Sequence, residues 1–255
     1  AVEWAGRGVT VTAATEAWAT IVVAGPASRS VPTRVLGPPW QVALARLGHM
    51  EFADGAYGGH ELRLLRASFS GELAYELHCR PGSAAGLWQA LVDGGLAPYG
   101  LDAVDILRVE KGYLVTAEIN GETTPLDLGL EPLLRSGNRC LGRELLDRPA
   151  FHESTRPRLV GLRAADGRSQ FLAGAQLLPD SASTRPCGHV TSSVYSPTLN
   201  EWLGLALVAR ALHAGTVLTA HDPLRSRTTP VRITPPAHYD PAGLRMKDAA
   251  PTAQP

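Results

Sequence analysis

Apolar and polar residues alternate along much of the first hundred positions, which is the pattern of half-buried β-strands. Strands are predicted at residues 9–12, 18–24 and 74–79. Residues 50–52 and 61–67 flank a glycine-rich turn and predict an antiparallel hairpin. The first part of the chain is therefore expected to contain antiparallel sheet.

Helical spacing of apolar residues interrupts this alternation. Residues 27–36 predict a short helix whose length Pro32 limits, and residues 37–39 read as a turn after it. A longer helix is predicted at residues 81–93, between a Pro-Gly-Ser start signal and a Gly-Gly stop. Helices and strands are thus mixed along the chain.

A third helix is predicted from Asp102, read as its N-cap, to Gly112. It carries Arg108 and Glu110 among apolar neighbours. Because these two side chains lie two positions apart, we expect that only one of them can face the core.

The second half is punctuated by prolines and predicts six short strands, which suggests a small all-β sandwich or barrel. We place a boundary near residues 151–158, giving domains at 1–150 and 151–240 and a disordered tail at 241–255. The predicted fold class is α+β. The six strands are expected at residues 159–163, 175–178, 190–194, 202–208, 217–219 and 229–233.

Charge and composition exclude several classes of protein. The 24 basic residues balance the 24 acidic ones, so no overall positive field favours nucleic acid or an anionic membrane as a partner. No apolar run of roughly 20 residues and no leader pattern is found in this sequence, so the protein is expected to be soluble and not secreted. Cys79, Cys140 and Cys187 are far apart, so neither a disulfide framework nor a metal site is expected, and a reducing cytoplasm is the expected compartment.

Common catalytic signatures are absent. The sequence contains no GxGxxG after a strand, no GxxxxGK[ST], no HExxH and no GxSxG. The chain itself therefore carries no local signal for a dinucleotide, phosphate-loop, zinc-protease or hydrolase site.

Three stretches stand out: SFSGELAYEL at residues 68–77, ILRVEKGY at 106–113 and GHVTSSVYSP at 188–197. In these stretches the sequence resembles the folate-binding glycine-cleavage T-proteins (aminomethyltransferases). The resemblance is closest to the C-terminal part of the alpha subunit of heterotetrameric sarcosine oxidases, and it covers residues 3–247. It implies a truncated T-protein-like folate-binding domain with antiparallel sheets and helices, followed by a small C-terminal β-barrel.

Glu76 is the first candidate ligand for folate. A carboxylate has two acceptor oxygens and can pair with the exocyclic amine and the ring N–H that a pterin presents side by side. On the residues alone, Glu76 also fits an exposed strand position. The resemblance implies that it is a folate ligand.

Arg108 is the second candidate, because a guanidinium held among apolar neighbours can fork onto a carboxylate. A structural ion pair with Glu110 or another acid is the alternative. By resemblance, Arg108 is a folate-site residue, and Tyr239, in the family's closing segment, reaches back to the same site. Tyr75 and Tyr113 are further cofactor-site candidates, although half-buried tyrosines often belong to the core.

Departures from the family limit what the resemblance implies. T-proteins carry a catalytic aspartate upstream of the first strand predicted here, so we expect a fragment, a split gene, a degenerate copy or a segment supplied by another chain. No catalytic residue is assigned. FAD, FMN and NAD are expected only in regions outside this chain or in partner subunits. The run Lys111-Gly112-Tyr113 lacks the cysteine that marks the iron–sulfur-assembly branch, and residues 123–127 match the family as the cap of a helix start.

The resemblance leads to one functional hypothesis and one alternative. In the first, the chain binds tetrahydrofolate within a sarcosine-oxidase-type hetero-oligomer and captures the one-carbon unit from amine oxidation as 5,10-methylenetetrahydrofolate. In the second, it is a non-catalytic structural module that no longer binds folate productively. No nucleic acid or membrane partner is expected.

Overall fold

The computed structural model describes residues 8, 10–134 and 141–247 of the 255-residue chain. The chain forms two compact units, one of Ala1–Tyr99 with Leu244–Pro255 and one of Gly100–Gly243. The domain boundaries expected near residues 150 and 240 stay a prediction. Residues 241–247 of the expected tail belong to the described part, and residues 248–255 lie outside it.

The first unit contains a four-stranded antiparallel sheet with the order β1-β4-β3-β2. The hairpin predicted from the sequence is present, and its turn consists of Gly58 and Gly59, both with positive φ. The strand predicted at residues 9–12 is wrong, because residues 10–12 pair with no strand in the described part of the chain. The strands are β1 (Ala19–Ala24), β2 (Phe52–Tyr57), β3 (His60–Leu65) and β4 (Ala74–Cys79).

Three helices cover one face of this sheet: α1 (Ser30–Leu36), α2 (Pro38–Arg46) and α3 (Pro81–Asp93). Leu44, Leu64 and Leu77 are fully buried between helices and sheet. Alternation along β4 directs every second side chain into this core and the others to the opposite face. That opposite face is called the open face below.

Helix α2 replaces the turn predicted at residues 37–39. Gly37, with a φ of 81°, connects α1 to α2, and Pro38 and Pro39 occupy the first helical positions. Those positions need no backbone N–H, so the two prolines are compatible with a helix start. Trp40 and Leu44 then anchor α2 in the core.

The second unit contains α4 (Leu101–Lys111), the short helix α5 (Glu131–Leu134) and a closed six-stranded antiparallel barrel. All six predicted strands are present, and the combination of helices, open sheet and barrel confirms the α+β fold. In order around the barrel, the strands are β10 (Arg227–Thr234), β5 (Pro157–Ala164), β8 (Glu201–Ala209), β7 (Gly188–Ser196), β6 (Gln176–Leu178) and β9 (Val217–Asp222).

A β-bulge in β7 prepares the surface on which α4 packs. The register between β7 and β8 shifts between Val190 and Ser192. Val190 therefore lies in the barrel core, whereas Val194 packs outside the barrel with Val109 of α4. Because of the bulge, side chains of this one strand pack into two hydrophobic clusters, one inside the barrel and one between the barrel and α4.

Two predicted helix caps differ from the structure. The N-cap of α4 is Gly100, and Asp102 lies within the first turn, where its charge favours the helix N-terminus. Near residues 123–127, Asp127 accepts hydrogen bonds from the N–H and hydroxyl of Thr124 at 2.9 and 2.8 Å, as a cap would. A turn follows there, and the next helix begins only at Glu131.

Candidate functional site

Glu76 lies on the open face of the sheet in the first unit. Its neighbours Tyr75 and Leu77 are fully buried on the helix-covered face, whereas the Glu76 side chain is 30% exposed. Strand alternation therefore presents the carboxylate away from the core. A group in this position can meet a ligand without opening the hydrophobic core.

A short hydrogen-bonded chain holds Glu76. Its Oε2 lies 3.1 Å from Nε2 of His78, and Nδ1 of His78 lies 2.9 Å from the hydroxyl of Thr20 on β1. A neutral His78 ring protonated at Nε2 would donate to Glu76 and accept from Thr20. Oε1 of Glu76 makes no hydrogen bond within the described residues, so one carboxylate oxygen is uncommitted.

Tyr75 lies in the hydrophobic core, unlike the adjacent Glu76. Its ring is fully buried, and its hydroxyl donates to the carbonyl of Leu44 at 2.8 Å and accepts from Nε of Arg29 at 3.0 Å. These contacts are those of a core tyrosine with a satisfied hydroxyl. A role for Tyr75 in cofactor binding stays a prediction.

A cavity of about 560 Å³ opens on the same open face. His78 contributes to its wall and so connects it to Glu76. The guanidinium of Arg63 lies 4.8 Å from the ring centre of Phe52 and 5.9 Å from that of Trp18. The residues lining this open-face cavity are Ala14, Thr15, Trp18, Thr20, Phe52, Arg63, Leu65 and His78.

A larger cavity, of about 940 Å³, lies in the first unit between α1, α2 and residues 244–247. Four cationic side chains line it, together with Glu72, which pairs with Arg245. None of the residues predicted to bind folate lines this cavity. The cations are Arg29, Arg34, Arg245 and Lys247.

Arg108 lies in the second unit and is 4% exposed. Its Nε is 2.7 Å from Oδ1 of Asp105, and its Nη2 is 2.9 Å from Oγ of Ser192. Nη1 lies 3.7 Å from Oε2 of Glu118, a fully buried carboxylate that also accepts from the Ser192 hydroxyl at 2.7 Å. Arg108 is thus held on several sides by protein groups, as in the structural ion pair that the sequence left open.

Glu110 is also buried, which corrects the expectation that only one of Arg108 and Glu110 faces the core. Ser196 donates a hydrogen bond to Oε1 of Glu110 at 2.5 Å. A helix buries opposite sides when partners enclose both of them: β7 and β8 pack on α4, and residues 236–239 pass its C-terminal end. Spacing along a single helix contains no information on such enclosure.

The C-terminal end of α4 brings Arg108, Tyr113 and Tyr239 into one region. Gly112 adopts a left-handed conformation there, and the N–H of Tyr113 donates to the carbonyl of Arg108 at 2.8 Å. The N–H of Tyr239 donates to the carbonyl of Glu110, also at 2.8 Å. Burial raises the pKa of Tyr113 above its ordinary value, and the charge of Asp240 raises it further. The other two candidates, Tyr75 and Glu76, belong to the first unit.

The partners that hold Arg108 and Glu110 were not predicted from the sequence. Ser192 and Ser196 lie in the predicted motif at 188–197, and both are buried where β7 faces α4. Two serines that flank the apolar Val194 on one face of the strand are a usable signal, because a buried hydroxyl needs a partner. Glu118, in the segment after α4, carries no comparable signal in the sequence.

Another buried carboxylate lies elsewhere in this unit. Asp127 is 1% exposed and pairs with Arg156 and, at 2.9 Å, with Nη2 of Arg210. Both arginines come from segments that flank the barrel strands, so the cluster joins the segment before α5 to the barrel. Its contacts are structural.

Other kinds of site find no support in the described residues. Within the described ranges, no group of three or more His, Cys, Asp or Glu side chains is arranged to hold a metal ion. Burial raises the pKa of Cys187, whose thiol donates to the carbonyl of Leu177. Among the helices described, none has the length and apolar character needed to cross a bilayer.

Comparison with known proteins gives consistent relatives. A sarcosine oxidase subunit alpha of Rhizobium meliloti (strain 1021) is 33% identical over 95% of this chain, and the chain spans 26% of that protein. An aminomethyltransferase of Rubrobacter xylanophilus is 34% identical over 88% of the chain and 58% of its own length. In fold, the crystal structure of the glycine cleavage system aminomethyltransferase T from Bartonella henselae matches with a TM-score of 0.75 and 21% identity, over 88% of this chain and 60% of that one.

Two family models match the chain in succession. The GCVT N-terminal domain matches residues 1–136, more than half of the sequence. The glycine cleavage T-protein C-terminal barrel domain matches residues 158–240, which contain the closed barrel. The chain belongs to the glycine cleavage T-protein family.

Proposed function

We propose that this chain binds tetrahydrofolate as part of a sarcosine-oxidase-type enzyme. The observation that carries the proposal is the Glu76 carboxylate, which is partly exposed on the open face of the sheet and has one oxygen with no hydrogen bond to a described residue. Membership of the T-protein family and the 33% identity to a sarcosine oxidase subunit alpha support it. The relevant partners would be the other subunits of such a hetero-oligomer, working in the cytoplasm.

The geometry around Glu76 suits a pterin. Oε1 is available to accept one N–H, and Oε2 retains a lone pair beside His78 for a second. His78 and Thr20 fix the carboxylate in one orientation, which lowers the entropy lost on binding. When bound, tetrahydrofolate supplies the nitrogen atoms that take up a one-carbon unit, with 5,10-methylenetetrahydrofolate as product.

The residues of this chain would bind and orient the ligand and keep water from the reacting group. Glu76 would hold the pterin; Arg108, Tyr113 and Tyr239 remain candidate folate-site residues through the family resemblance. Flavin and NAD chemistry would come from other regions or from partner subunits. No proton transfer is assigned to a residue of this chain.

A second candidate function follows from Arg108. Because its guanidinium is already engaged by Asp105, Ser192 and Glu118, a purely structural role accounts for its burial. A domain that keeps the fold for subunit contacts and no longer binds folate productively would have this arrangement. The uncommitted oxygen of Glu76 favours the first function over this one.

Equilibrium binding of tetrahydrofolate to the chain tests the proposal. Titration calorimetry compares the wild type with Glu76→Ala and with Asp93→Asn, an exposed carboxylate at the end of α3. We expect saturable binding that Glu76→Ala weakens at least tenfold and Asp93→Asn leaves unchanged. Equal affinity in Glu76→Ala, or no binding to a well-folded wild type, would instead favour the structural module.

A further inference from the structure

The larger cavity of the first unit, of about 940 Å³, contains none of the residues proposed to bind folate. Its walls come from α1, α2, residues 72–73 and residues 244–247, all within the first unit, and it is called the cationic cavity below. Arg29, which lines it, bonds the hydroxyl of Tyr75, and Tyr75 points away from Glu76 because side chains alternate along β4. The cationic cavity therefore lies on the helix-covered side of the sheet, opposite the Glu76 carboxylate.

Cations dominate the charged groups of this cavity. Four of them line it, whereas Glu72 is the single carboxylate among the described lining residues and is already paired with Arg245. Arg34 donates to the backbone carbonyl of Gly94 at 3.0 Å and pairs with no carboxylate of a described residue. The ammonium of Lys247 makes no hydrogen bond or ion pair with the described part of the chain. A bound anion would therefore meet two cations whose charge no described acid neutralises.

The fold fixes three of the cations on two different walls. On the α1 side, Nε of Arg29 donates to the buried Tyr75 hydroxyl at 3.0 Å, and the bond of Arg34 to Gly94 joins it to the end of α3. On the side of residues 244–247, Glu72 holds Arg245. Side chains that are already held lose less conformational entropy when a ligand binds. The cavity thus presents positioned positive charge on two walls.

The remaining surface of the cationic cavity is mainly apolar. Pro26, Ala45, Leu73 and Leu244 contribute to it, and Leu244 is 63% exposed. An exposed leucine favours an apolar partner, because covering it removes hydrocarbon from water. A mostly apolar lining with a few fixed polar groups is typical of small-molecule sites, and the volume lies near the upper end of their range.

We propose that the cationic cavity binds a small organic dicarboxylate. One carboxylate would bind Arg34 on α1, the other would bind Lys247, and the apolar body between them would cover Leu244. Cations on two walls favour two separate anionic groups over one compact anion, and guanidinium groups match carboxylates in geometry. The proposal is independent of folate binding, because it uses no residue of the proposed folate site.

Titration calorimetry with dicarboxylates of increasing length tests the proposal. Succinate, adipate and suberate differ only in the methylene chain between their carboxylates. Hexanoate matches adipate in length but has one carboxylate, and inorganic phosphate is a compact anion. Each probe is titrated into the full chain and into Arg34→Gln, Lys247→Gln and Arg46→Gln. Arg46 is an exposed arginine of α2 that does not line the cavity, so it is the matched control.

We expect the best of the three dicarboxylates to bind about tenfold more tightly than hexanoate or phosphate, because only it engages both walls. Arg34→Gln and Lys247→Gln should each weaken that dicarboxylate about tenfold, and Arg46→Gln should leave it within about twofold of the wild type. Lys247→Gln removes no described side-chain contact, so it keeps the test valid if thermal unfolding shows that Arg34→Gln does not fold.

Several results would overturn the proposal. Hexanoate or phosphate binding as tightly as the best dicarboxylate would rule out two separate anionic groups. Unchanged affinity in both Arg34→Gln and Lys247→Gln would place the dicarboxylate elsewhere. In Glu76→Gln the affinity for the dicarboxylate should equal that of the wild type, and a loss would mean that the probe binds at the folate site. A folded wild type that binds none of the three at millimolar concentrations would also refute the site, and the proposed folate function would be unaffected.

Discussion

The hydroxyl of Ser196 lies 2.5 Å from Oε1 of Glu110, and both side chains are buried in the second unit. The bond joins two stretches singled out by the sequence, 106–113 and 188–197. Among the residues that the structure describes, Ser196 is the donor that satisfies this buried carboxylate. The N–H of Leu199 donates to the same hydroxyl at 3.0 Å, so Ser196 also orders the turn after β7.

We expect Ser196→Ala to lower the free energy of unfolding by about 2 kcal/mol, because hydrogen bonds to charged groups contribute most. The control is Ser193→Ala on the same strand, which loses a neutral bond to the carbonyl of Phe171 and should cost about 1 kcal/mol. Urea unfolding followed by circular dichroism measures both. Equal losses would mean that the charge of Glu110 does not strengthen its bond.

Gly112→Ala is expected to destabilise the second unit strongly. A Cβ at Gly112 would lie 2.8 Å from the backbone of Pro236, and its φ of +77° is already unfavourable for alanine. The two effects together should cost about 3 kcal/mol. Gly129, with a φ of +71° and nothing within 4 Å, isolates the conformational part, so Gly129→Ala should cost about 1 kcal/mol. Thermal unfolding of both variants measures the difference, and equal midpoint temperatures would contradict the prediction.

Asp127→Asn removes the negative charge of the carboxylate that pairs with both Arg156 and Arg210. Breaking a buried ion pair leaves uncompensated charge, so we expect a loss of about 3 kcal/mol in unfolding free energy. The surface substitution Asp93→Asn should stay within about 0.5 kcal/mol of the wild type. A loss below 1 kcal/mol in Asp127→Asn would show that water solvates the two arginines effectively.

The buried His238 side chain should make the folded protein less stable at acidic pH. Burial lowers the pKa of His238 to about 4, the charge of Arg163 also lowers it, and a bond of Nε2 to the carbonyl of Gly204 at 3.0 Å opposes them. The folded state therefore binds fewer protons than the unfolded state below pH ~6.5, so this contribution is complete above that pH and is lost as the pH falls toward 4.

Between pH 7 and pH 5 the loss should be about 2 kcal/mol. Urea unfolding at both pH values measures it. His238→Gln retains a donor for Gly204 without a titrating ring, so its unfolding free energy should change less over the same interval. The same pH dependence in both proteins would assign the loss to other groups.

Local patterns were sufficient for most elements of this fold. Alternation predicted β4, short β-like runs between prolines predicted the barrel strands, and proline and glycine signals bounded α3. They failed at residues 9–12, where alternation has no pairing partner. They failed again at α2, because two prolines at a helix start look the same as two prolines in a turn.

Local sequence patterns likewise predicted only part of the candidate site. Alternation alone predicts that Glu76 faces away from Tyr75, and the structure agrees. The contacts of Arg108 with Ser192 and Glu118 depend on a bulge in a strand 84 positions away, which spacing within α4 cannot reveal. The open-face cavity likewise requires side chains from four separate segments to meet.

The bonds that fix residues 244–247 to the first unit determine when that unit can finish folding. The N–H of Leu73 donates to the carbonyl of Arg245 at 2.9 Å, and Arg66 bonds the carbonyl of Met246 across 180 positions. On a ribosome, the sheet and its helices emerge first but must wait for the whole second unit to be synthesised. At typical translation rates this delay is on the order of ten seconds. During that interval the backbone near Glu72 and Leu73 has not yet paired with residues 244–247, and a chaperone can bind the nascent chain there.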